Sequence, residues 1–238
     1  MKVEGCIALV TGANRGLGKA LVAALLHAGA RKVYATARDE KQLESTSSRV
    51  VRLRLDITNP EQIAATAREA ADVTLLINNA GTLNSFNVLT ASQANIETDF
   101  RVHVHGMLNL IKAFVPVLER APEGATIVNV LSLSSLASVP LTGGYSASKA
   151  AAYSITQALR PELKKKAIHV LAALPGPIDT DMIKDLDLPK TSAADAAQQL
   201  IVGIAHGDEE IFPDPMALQL GALWRQNPKD FERALASF

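Results

Sequence analysis

Hydrophobic residues along the chain form short runs that alternate with longer amphipathic stretches. The short runs are rich in β-branched residues and nearly continuous in hydrophobicity, which is typical of strands covered on both faces. Turn residues bound each run. The pattern predicts six strands, over residues 6–10, 32–36, 50–55, 73–77, 126–131 and 168–174, and a short seventh strand around 210–212.

Between these runs, apolar residues recur every three or four positions, as they do on one face of an α-helix. This periodicity predicts helices over residues 17–28, 61–70, about 91–119, 146–165 and 193–204. Strand and helix therefore alternate throughout the chain. Such alternation predicts an α/β fold, a Rossmann-like doubly wound parallel sheet of about seven strands with helices on both faces. No linker, repeat or low-complexity tract interrupts it, so residues 1–238 are predicted to form one domain.

Composition excludes several classes of function. Lys plus Arg and Asp plus Glu number 24 each, so no long-range field attracts nucleic acid or anionic lipid. The single cysteine, Cys6, excludes an internal disulfide and is typical of a reducing compartment. The sequence shows neither a secretion signal nor an apolar stretch long enough to span a membrane. We therefore expect a cytoplasmic protein with no nucleic-acid or membrane partner.

A glycine-rich turn, Thr11-Gly12-Ala13-Asn14-Arg15-Gly16-Leu17-Gly18, follows the first predicted strand. Gly12 permits a sharp exit from the strand, and Gly16 and Gly18 let the backbone approach a pyrophosphate while the helix packs on the sheet. The pyrophosphate would then lie at a helix N-terminus. Because this spacing differs from the common GxGxxG, an ordinary glycine-rich turn is the alternative.

Ser132, Tyr145 and Lys149 form a second candidate set. Tyr145 and Lys149 are four residues apart and share one face of a helix. An ammonium beside a phenol, like an oxidised nicotinamide, lowers the Tyr pKa from its usual value of about 10, so Tyr145 can exchange a proton with a substrate oxygen. Ser132 follows a predicted strand at the ligand-binding edge of the sheet, and its hydroxyl can hold a carbonyl oxygen. On its own, a Tyr and Lys at this spacing is more often a surface pair.

These motifs together resemble the short-chain dehydrogenase/reductase family, over most of the chain. The glycine turn resembles its cofactor motif, Asp56 its adenine contact, Asn78-Asn79-Ala80-Gly81 its motif after the fourth strand, and residues 175–180 its nicotinamide-side loop. The resemblance implies that Tyr145 is the acid/base, that Lys149 binds the nicotinamide ribose and lowers the Tyr pKa, and that Ser132 orients the carbonyl. The cofactor-binding residues it implies are Gly12, Asn14, Arg15, Gly16, Leu17, Gly18, Arg38, Asp56, Ile57, Asn79, Ala80, Gly81, Tyr145, Lys149, Pro175, Gly176, Ile178 and Thr180.

One position departs from the family pattern. Family members usually carry an Asn three residues before a Gly in the fourth major helix, where it helps to hold a water between the Lys and solvent; His103 stands there, three residues before Gly106. Imidazole can donate and accept a proton, so we hypothesise that His103 maintains the catalytic relay, with a steeper pH dependence near neutrality. The alternative is a histidine that only packs or bonds a helix carbonyl. The five histidines fit no metal-ligand spacing, so no metal site is predicted.

The end of the second strand bears on the choice of cofactor. A carboxylate there accepts hydrogen bonds from the ribose of NAD and repels a 2′-phosphate. The family usually places it at Ala37, which is uncharged. Arg38 follows and Arg15 lies in the glycine turn, so two guanidiniums can bracket a phosphate, and we predict NADP(H). Asp39 is a competing signal, expected instead to cap a short helix over residues 40–43 or to face solvent. Plain surface exposure is the alternative for the two arginines.

The substrate pocket follows from the resemblance, because family pockets are lined by segments after the fourth, fifth and sixth strands. Those segments are here roughly 82–88, 133–144 and 181–192, joined by the tail 214–238. An apolar pocket is expected, although each residue can equally be core or rim packing. The stretch between Thr180 and Ser192 is short for the family's lid, which favours an open cleft. The apolar candidates are Leu83, Phe86, Leu133, Leu136, Val139, Leu141, Met182 and Ile183.

The sequence therefore predicts an NADPH-dependent carbonyl reductase, reversible as an alcohol dehydrogenase, that acts on small or mid-sized aldehydes and ketones. Two alternatives stay open. A dinucleotide-binding regulatory or scaffold protein without turnover is indicated only by His103, and a reductase of C=N bonds needs the same hydride donor and acid.

Assembly is inferred from the two long predicted helices, 91–119 and 146–165, which in the family often pair into dimers and tetramers. Leu108, Ile111 and Val115 are apolar positions expected on an outer face, so a homodimer or homotetramer is predicted. The tail 216–238, with Trp224 and Phe231, is expected to form a closing helix over the substrate side or an interface.

Overall fold

The structure is a computed structural model that describes residues 2–44 and 47–238. At its centre lies a seven-stranded parallel sheet, in which the third, second, first, fourth, fifth and sixth strands of the chain lie side by side and a short strand near residue 210 follows. The chain winds outward from the first strand in both directions, so the predicted doubly wound fold class is confirmed. Each predicted strand is present, with ends shifted by at most two residues. The strands are β1 (Ile7–Val10), β2 (Lys32–Ala37), β3 (Val50–Arg54), β4 (Leu75–Asn78), β5 (Ala125–Val130), β6 (Ile168–Ala173) and β9 (Glu210–Ile211). Outside this sheet, β7 (Ile178–Asp179) and β8 (Thr191–Ser192) form a small parallel pair.

Helices cover both faces of the sheet because alternate strand residues point to opposite sides. The helices are α1 (Gly16–His27), α2 (Pro60–Glu69), α3 (Gln93–Phe100), α4 (Met107–Leu118), α5 (Gly143–Lys164), α6 (Ala193–His206), α7 (Pro215–Gln226) and α8 (Pro228–Leu235). Ile7 and Leu9 of β1 enter the hydrophobic core shared with α2, α4 and α5, whereas Ala8 and Val10 enter the core shared with α1 and α6.

The long helix predicted over residues 91–119 is not one α-helix. A π-helical segment, Arg101–Gly106, separates α3 from α4. A side chain on Gly106 would come within 3.0 Å of Ile57, so its glycine lets this segment pass close to the loop after β3. Single π-turns inside helices are frequent at functional sites, and His103 lies within this one.

Two predictions about the helices need correction, one about a surface position and one about a helix start. Ile111 is 1% exposed and packs in the core, so it does not lie on an outer face of α4; Leu108 and Val115 are half-buried. The helix predicted to start at residue 146 begins at Gly143, which places Tyr145 in its first turn.

The tail forms two helices where one was predicted. Asn227 accepts hydrogen bonds from the backbone N–H groups of Lys229 and Asp230, and Pro228 occupies the first position of α8, so a new helix starts there. Phe231 is fully buried in the core. Across residues 2–44 and 47–238, no helix is both long and apolar enough to cross a membrane.

Candidate active site

A cleft of about 1250 Å³ lies at the carboxyl ends of the central strands. This edge of a doubly wound sheet is where ligands bind, and the volume is large enough for a dinucleotide together with a small substrate. Every residue predicted for catalysis or cofactor binding lines this one cleft. The chain therefore brings together residues that lie as far apart in sequence as Gly12 and Thr180.

The glycine turn is shaped to receive an anion. Gly12 and Gly16 have φ angles of +65° and +51°, which favour glycine, and a side chain on Gly18 would overlap the Gly12 carbonyl oxygen. Arg15, at the N-cap of α1, makes no side-chain capping bond, so the N–H groups of the first turn face the cleft as donors. Backbone donors and the positive end of a helix dipole fit the pyrophosphate of a dinucleotide.

Thr11 and Asn79 hold this turn in place. The Thr11 hydroxyl accepts hydrogen bonds from the backbone N–H groups of Asn79 and Ala80, both at 2.9 Å. The Asn79 amide donates to the carbonyl oxygens of Thr11, at 2.8 Å, and Gly12, at 3.3 Å. Asn79 thus stabilises the turn through these hydrogen bonds and also lines the cleft. The sequence analysis included Thr11 in the glycine-rich turn but assigned it no role, although its position directly before Gly12 was an available signal.

Asp39 lies at the expected adenine end of the cleft and caps a short helix, as predicted. Its carboxylate accepts from the Lys41 backbone at 3.1 Å and from the Gln42 amide at 3.4 Å, which confirms that it caps the short 3-10 helix Glu40–Gln42. Gln42 in turn accepts from Asn14 at 2.9 Å. Arg38 is exposed and lines the cleft. Asp39 is therefore engaged in local structure, and no ion pair within residues 2–44 and 47–238 includes the neighbouring Arg38 guanidinium.

Arg15 crosses the mouth of the cleft. Its Nη1 lies 3.1 Å from Oδ2 of Asp181, in the segment between β7 and β8. A side chain on Gly16 would come within 2.9 Å of the Thr180 methyl group, so the two segments approach closely. The guanidinium expected to meet a phosphate thus also joins the glycine turn to the substrate side.

Asp56 and Ile57 lie between β3 and α2. Asp56 Oδ1 accepts from the backbone N–H of Thr58 at 2.9 Å and from its hydroxyl at 2.7 Å, which closes the turn. Ile57 packs against Gly106. Both residues line the cleft at the position predicted for the adenine.

The catalytic candidates meet at the far end of the cleft. Lys149 is buried, and its Nζ donates to the Val130 carbonyl at 3.0 Å and lies 5.7 Å from the centre of the Tyr145 ring. Burial lowers the pKa of Lys149 to about 8, although the charge of Asp99 opposes this shift. Burial raises the pKa of Tyr145, a hydrogen bond from Ser132 opposes the rise, and the charge of Asp99 adds to it. The chain's own groups therefore keep Tyr145 protonated, in contrast to the lowered pKa expected from Lys149 alone.

Ser132 is aimed by two neighbouring serines that the sequence analysis missed. Its Oγ accepts from the backbone N–H of Ser134 at 3.2 Å and from the Ser134 hydroxyl at 2.9 Å. The Ser135 hydroxyl accepts from the Ser132 backbone N–H at 3.2 Å, which completes a capping box. Because Ser132 Oγ accepts these two bonds, its own hydrogen stays available for donation within the cleft that Ser132 lines. The signal was the cluster of serines directly after the strand.

His103 is held from both sides. Its Nε2 accepts from the backbone N–H of Thr82 at 3.1 Å, so Nδ1 carries the hydrogen and faces Ser148 Oγ at 2.8 Å. Burial, and then the charge of Lys149, lower the pKa of His103 well below its usual value. These contacts argue against titration near neutral pH and favour the structural alternative. A place for His103 in the proton relay stays a prediction.

Asp99 is a buried site residue that sequence reasoning missed. It lies in the last turn of α3 with no exposed surface, and its carboxylate accepts hydrogen bonds from Asn84 and Ser85. Asp99 and His103 are four residues apart and both are buried, so this acidic residue lies on the inner face of the helix. That helical spacing was the available signal.

The substrate side is apolar but differs in detail from the predicted lining. Phe86 is 45% exposed and Leu136 packs against the core, so neither lines the cleft. Leu83, Leu133, Val139, Leu141, Met182 and Ile183 do line it. Leu186, Leu188, Met216 and Leu235 also line the cleft; they lie in the predicted segments 181–192 and 214–238 but were not among the named candidates. Arg101 lines the cleft from outside every predicted segment. Within the described parts of the chain, no three His, Cys, Asp or Glu side chains are grouped to hold a metal ion.

Comparisons with known proteins agree with this geometry. Residues 6–190 match the family model of short chain dehydrogenases. A short chain dehydrogenase from Burkholderia cenocepacia, crystallised in complex with NADP, is 39% identical and superposes with a TM-score of 0.93, and the match covers 99% of each chain.

Two curated proteins extend the similarity. The NADPH-dependent 1-acyldihydroxyacetone phosphate reductase of Saccharomyces cerevisiae is 33% identical over 197 residues, which cover 78% of this chain and 65% of that protein. An uncharacterized oxidoreductase of Staphylococcus saprophyticus is 30% identical over 199 residues, which cover 79% of this chain and 84% of that protein.

Proposed function

The chain belongs to the short-chain dehydrogenase family of oxidoreductases, and on that basis we propose that it is an NADPH-dependent reductase of small or mid-sized aldehydes and ketones, reversible as an alcohol dehydrogenase. The observation that carries the proposal is the meeting of Ser132, Tyr145 and Lys149 in the same cleft as the glycine turn. One end of this cleft fits a dinucleotide phosphate and the other holds a protonated phenol.

NADPH, when bound, supplies the hydride that the carbonyl carbon accepts. The chain's own residues handle the proton. The Tyr145 hydroxyl gives its hydrogen to the carbonyl oxygen, which becomes the alcohol, and Ser132 donates a hydrogen bond that fixes the same oxygen. The buried ammonium of Lys149, 5.7 Å from the Tyr145 ring centre, stabilises the phenolate left behind.

The preference for NADP(H) rests on Arg15 and Arg38. Both line the cleft, and the carboxylate of Asp39, which would favour NAD, is engaged in capping. Two guanidiniums provide charge-assisted hydrogen bonds to a 2′-phosphate. The NADP complex of the Burkholderia cenocepacia protein supports the same choice.

The proposal is tested by following NADPH oxidation over a panel of aldehydes, ketones, diketones and cyclic imines. Tyr145→Phe is expected to lose turnover and keep NADPH binding, because it removes only the acidic hydrogen. Tyr153→Phe is the matched control, since Tyr153 lies on the same helix but bonds Glu210 away from the cleft.

The other outcomes separate the alternatives. Tight NADPH binding with no turnover on any compound would favour a regulatory or scaffold protein. Turnover of imines alone would favour C=N reduction, and full activity of Tyr145→Phe would contradict the proposed mechanism.

A homodimer or homotetramer and a cytoplasmic location are further parts of the proposal. The half-buried apolar residues Leu108 and Val115 on α4 support an interface there. Light scattering that gives a monomeric mass at working concentration would overturn the assembly.

A further inference from the structure

Asp99 is a buried carboxylate without a cationic partner at contact distance. It has no exposed surface, and no ion pair among residues 2–44 and 47–238 includes it. An isolated charge taken out of water costs several kcal/mol unless hydrogen bonds replace its hydration. Its partners therefore determine what this residue does.

Those partners come from two consecutive residues. Asn84 donates its backbone N–H at 3.2 Å and its side-chain amide at 3.0 Å, and Ser85 donates its backbone N–H at 2.9 Å and also its hydroxyl. Four donors converge on one carboxylate, and Ser85 is itself fully buried. Hydrogen bonds to a charged acceptor are about twice as strong as neutral ones, so residues 84 and 85 are fixed to α3.

The segment that contains Asn84 and Ser85 is also hydrogen-bonded to the first turn of α5. The backbone N–H of Tyr145 donates to the Ser85 carbonyl at 3.2 Å, and that of Gly144 donates to the Phe86 carbonyl at 3.4 Å. A side chain on Gly144 would come within 2.6 Å of Ser85 Oγ, so the two segments are in close contact. A continuous path of hydrogen bonds thus joins Asp99 to the backbone of Tyr145.

We propose that Asp99 is the positioning residue of this active site: its carboxylate clamps residues 84 and 85 against the start of α5 and so fixes both the place and the charge environment of Tyr145. The catalytic consequence rests on the proposed function, whereas the clamp itself does not. Asp99 touches neither reacting atom and acts through Ser85.

The charged and titratable groups around the clamp are few. The charge of Asp99 acts on Tyr145 and Lys149 of α5, His103 follows Asp99 in the π-helical segment, and residues 84 and 85 carry no titratable group. The negative charge of Asp99 favours the protonated forms of its neighbours, and it raises the pKa of both Tyr145 and Lys149. Removing that charge lowers the pKa values of the pair, so activity that requires the ammonium form of Lys149 is lost at a lower pH.

Three variants separate charge from position. Asp99→Asn removes the charge and one acceptor, Ser85→Ala keeps the charge and removes one donor, and Glu97→Gln neutralises an exposed carboxylate on the same helix as the matched control. Carbonyl reduction is measured from pH 6 to 10, amide hydrogen exchange is followed in residues 82–88 and 143–146, and the Lys149 side chain is titrated by the chemical shift of its ε-carbon.

For Asp99→Asn we expect kcat to fall about tenfold to 100-fold, because small misplacement of a catalytic group has effects of this size. The alkaline limb of the profile and the Lys149 midpoint both move to lower pH, exchange accelerates in both segments, and the KM for NADPH is unchanged. Ser85→Ala accelerates exchange and lowers kcat without moving the alkaline limb. Glu97→Gln behaves as wild type.

Failure of the proposed function and failure of the clamp give different results. If wild type turns over no carbonyl, the function fails, while exchange and the Lys149 titration still test Asp99. If Asp99→Asn matches Glu97→Gln in exchange and in the Lys149 midpoint, the clamp is overturned. If Asp99→Asn does not fold, unchanged exchange in Ser85→Ala overturns it, and accelerated exchange at 143–146 supports it.

Discussion

His103 shows how burial sets the chemistry of a single residue. Both ring nitrogens are engaged, by Thr82 and Ser148, and the ring meets Tyr145 edge to face with 5.3 Å between centres. Protonating this ring would break the bond from the Thr82 N–H and place a second positive charge near Lys149. The imidazole is therefore a neutral spacer between the loop after β4, which contains Thr82, and helix α5, which contains Ser148.

This state predicts a dependence of stability on pH. The folded-state pKa of His103 lies well below its unfolded value of 6.5, so the unfolded state binds more protons, and stability that is present above pH 6.5 is lost as the pH falls. Between pH 7.5 and 5.5 the free energy of unfolding should therefore fall because of this group. Urea denaturation of wild type and His103→Asn measures it. His169→Asn, changed at an exposed position, is the control, and an equal loss in all three proteins would contradict the prediction.

Arg38 carries a prediction about cofactor choice. Replacing Arg38 with Ala removes a charged donor beside the expected 2′-phosphate, a bond worth about 1.5–3 kcal/mol, so kcat/KM with NADPH should fall about tenfold to 100-fold. The value with NADH should stay nearly constant, because NADH has no 2′-phosphate. Steady-state kinetics with both cofactors test this. Arg31→Ala, an exposed arginine elsewhere on the surface, is the control, and parallel losses with both cofactors would refute the assignment.

Single residues differ in how far the sequence predicts them. Ser132, Tyr145 and Lys149 are found by fixed spacing after a strand or along one helix, and the structure places all three in one cleft. Asp99 and Thr11 are not, because their roles depend on hydrogen bonds to segments 14 to 69 residues away. Polar residues that look alike in the sequence can be told apart as site residues only when the structure shows which of them are buried.

At the level of secondary structure, the turn between β1 and α1 depends on close contact. A side chain on Gly18 would overlap the Gly12 carbonyl and come within 2.6 Å of the Asn79 amide nitrogen, so it would push the helix away from the strand. Gly207, at the C-terminal end of α6, also has a special conformation with φ of +80°, but nothing lies within 4 Å of the position that its side chain would take. The two glycines thus serve different needs.

This contrast predicts two distinct outcomes. Gly18→Ala should abolish NADPH binding because the anion site at the start of α1 is displaced. Gly207→Ala should cost about 1 kcal/mol of stability, since it forces a non-glycine residue into the left-handed region, and should leave binding unchanged. Fluorescence titration with NADPH and thermal melts distinguish them. Normal NADPH affinity in Gly18→Ala would show that the turn tolerates a side chain.

Helices and strands were predicted well where a local hydrophobic pattern determines them, and less well where contacts with distant residues determine the backbone conformation. The strands follow from continuous apolar runs, but the π-helical segment Arg101–Gly106 has the same apolar spacing as the α-helices on either side. Its wider turn accompanies the buried His103 and the close approach of Gly106 to Ile57, neither of which periodicity reveals. The start of α8 was signalled by Asn227-Pro228, a local motif that the prediction of a single helix passed over.

For the molecule as a whole, cofactor binding and folding stability are linked. A ligand that binds only the folded state at 100 times its Kd adds about 2.7 kcal/mol of stability. For a protein of this size we expect NADP+ at that concentration to raise the Tm by about 5–10 °C, and NAD+ at the same concentration to raise it less. Differential scanning fluorimetry measures both shifts. Gly18→Ala is the control that should show neither, and an equal shift with both cofactors would argue against the 2′-phosphate assignment.

The overall topology was predictable because alternating strands and helices leave few ways to build a parallel sheet. The closing of the cleft was predicted only in outline, because the tail was expected either over the substrate side or at an interface and its contacts were not specified. The contact between Arg15 and Asp181 spans 166 residues, and the lining contributed by Met216 and Leu235 depends on how two terminal helices fold back over the site. Such long-range contacts carry no periodic signal.

The support that Asn79 gives to the glycine turn also imposes an order on biosynthesis. Thr11 and Gly12 leave the ribosome early, yet the Asn79 side-chain amide that bonds their carbonyl oxygens is made 67 or more residues later. Likewise, β1 can pair with β4 only after Leu75 has been made. Thr180, which lies against Gly16, comes later still. The glycine turn of a nascent chain therefore gains its supporting hydrogen bonds only after Asn79 has been made, and its contact with Thr180 only after most of the chain has been translated.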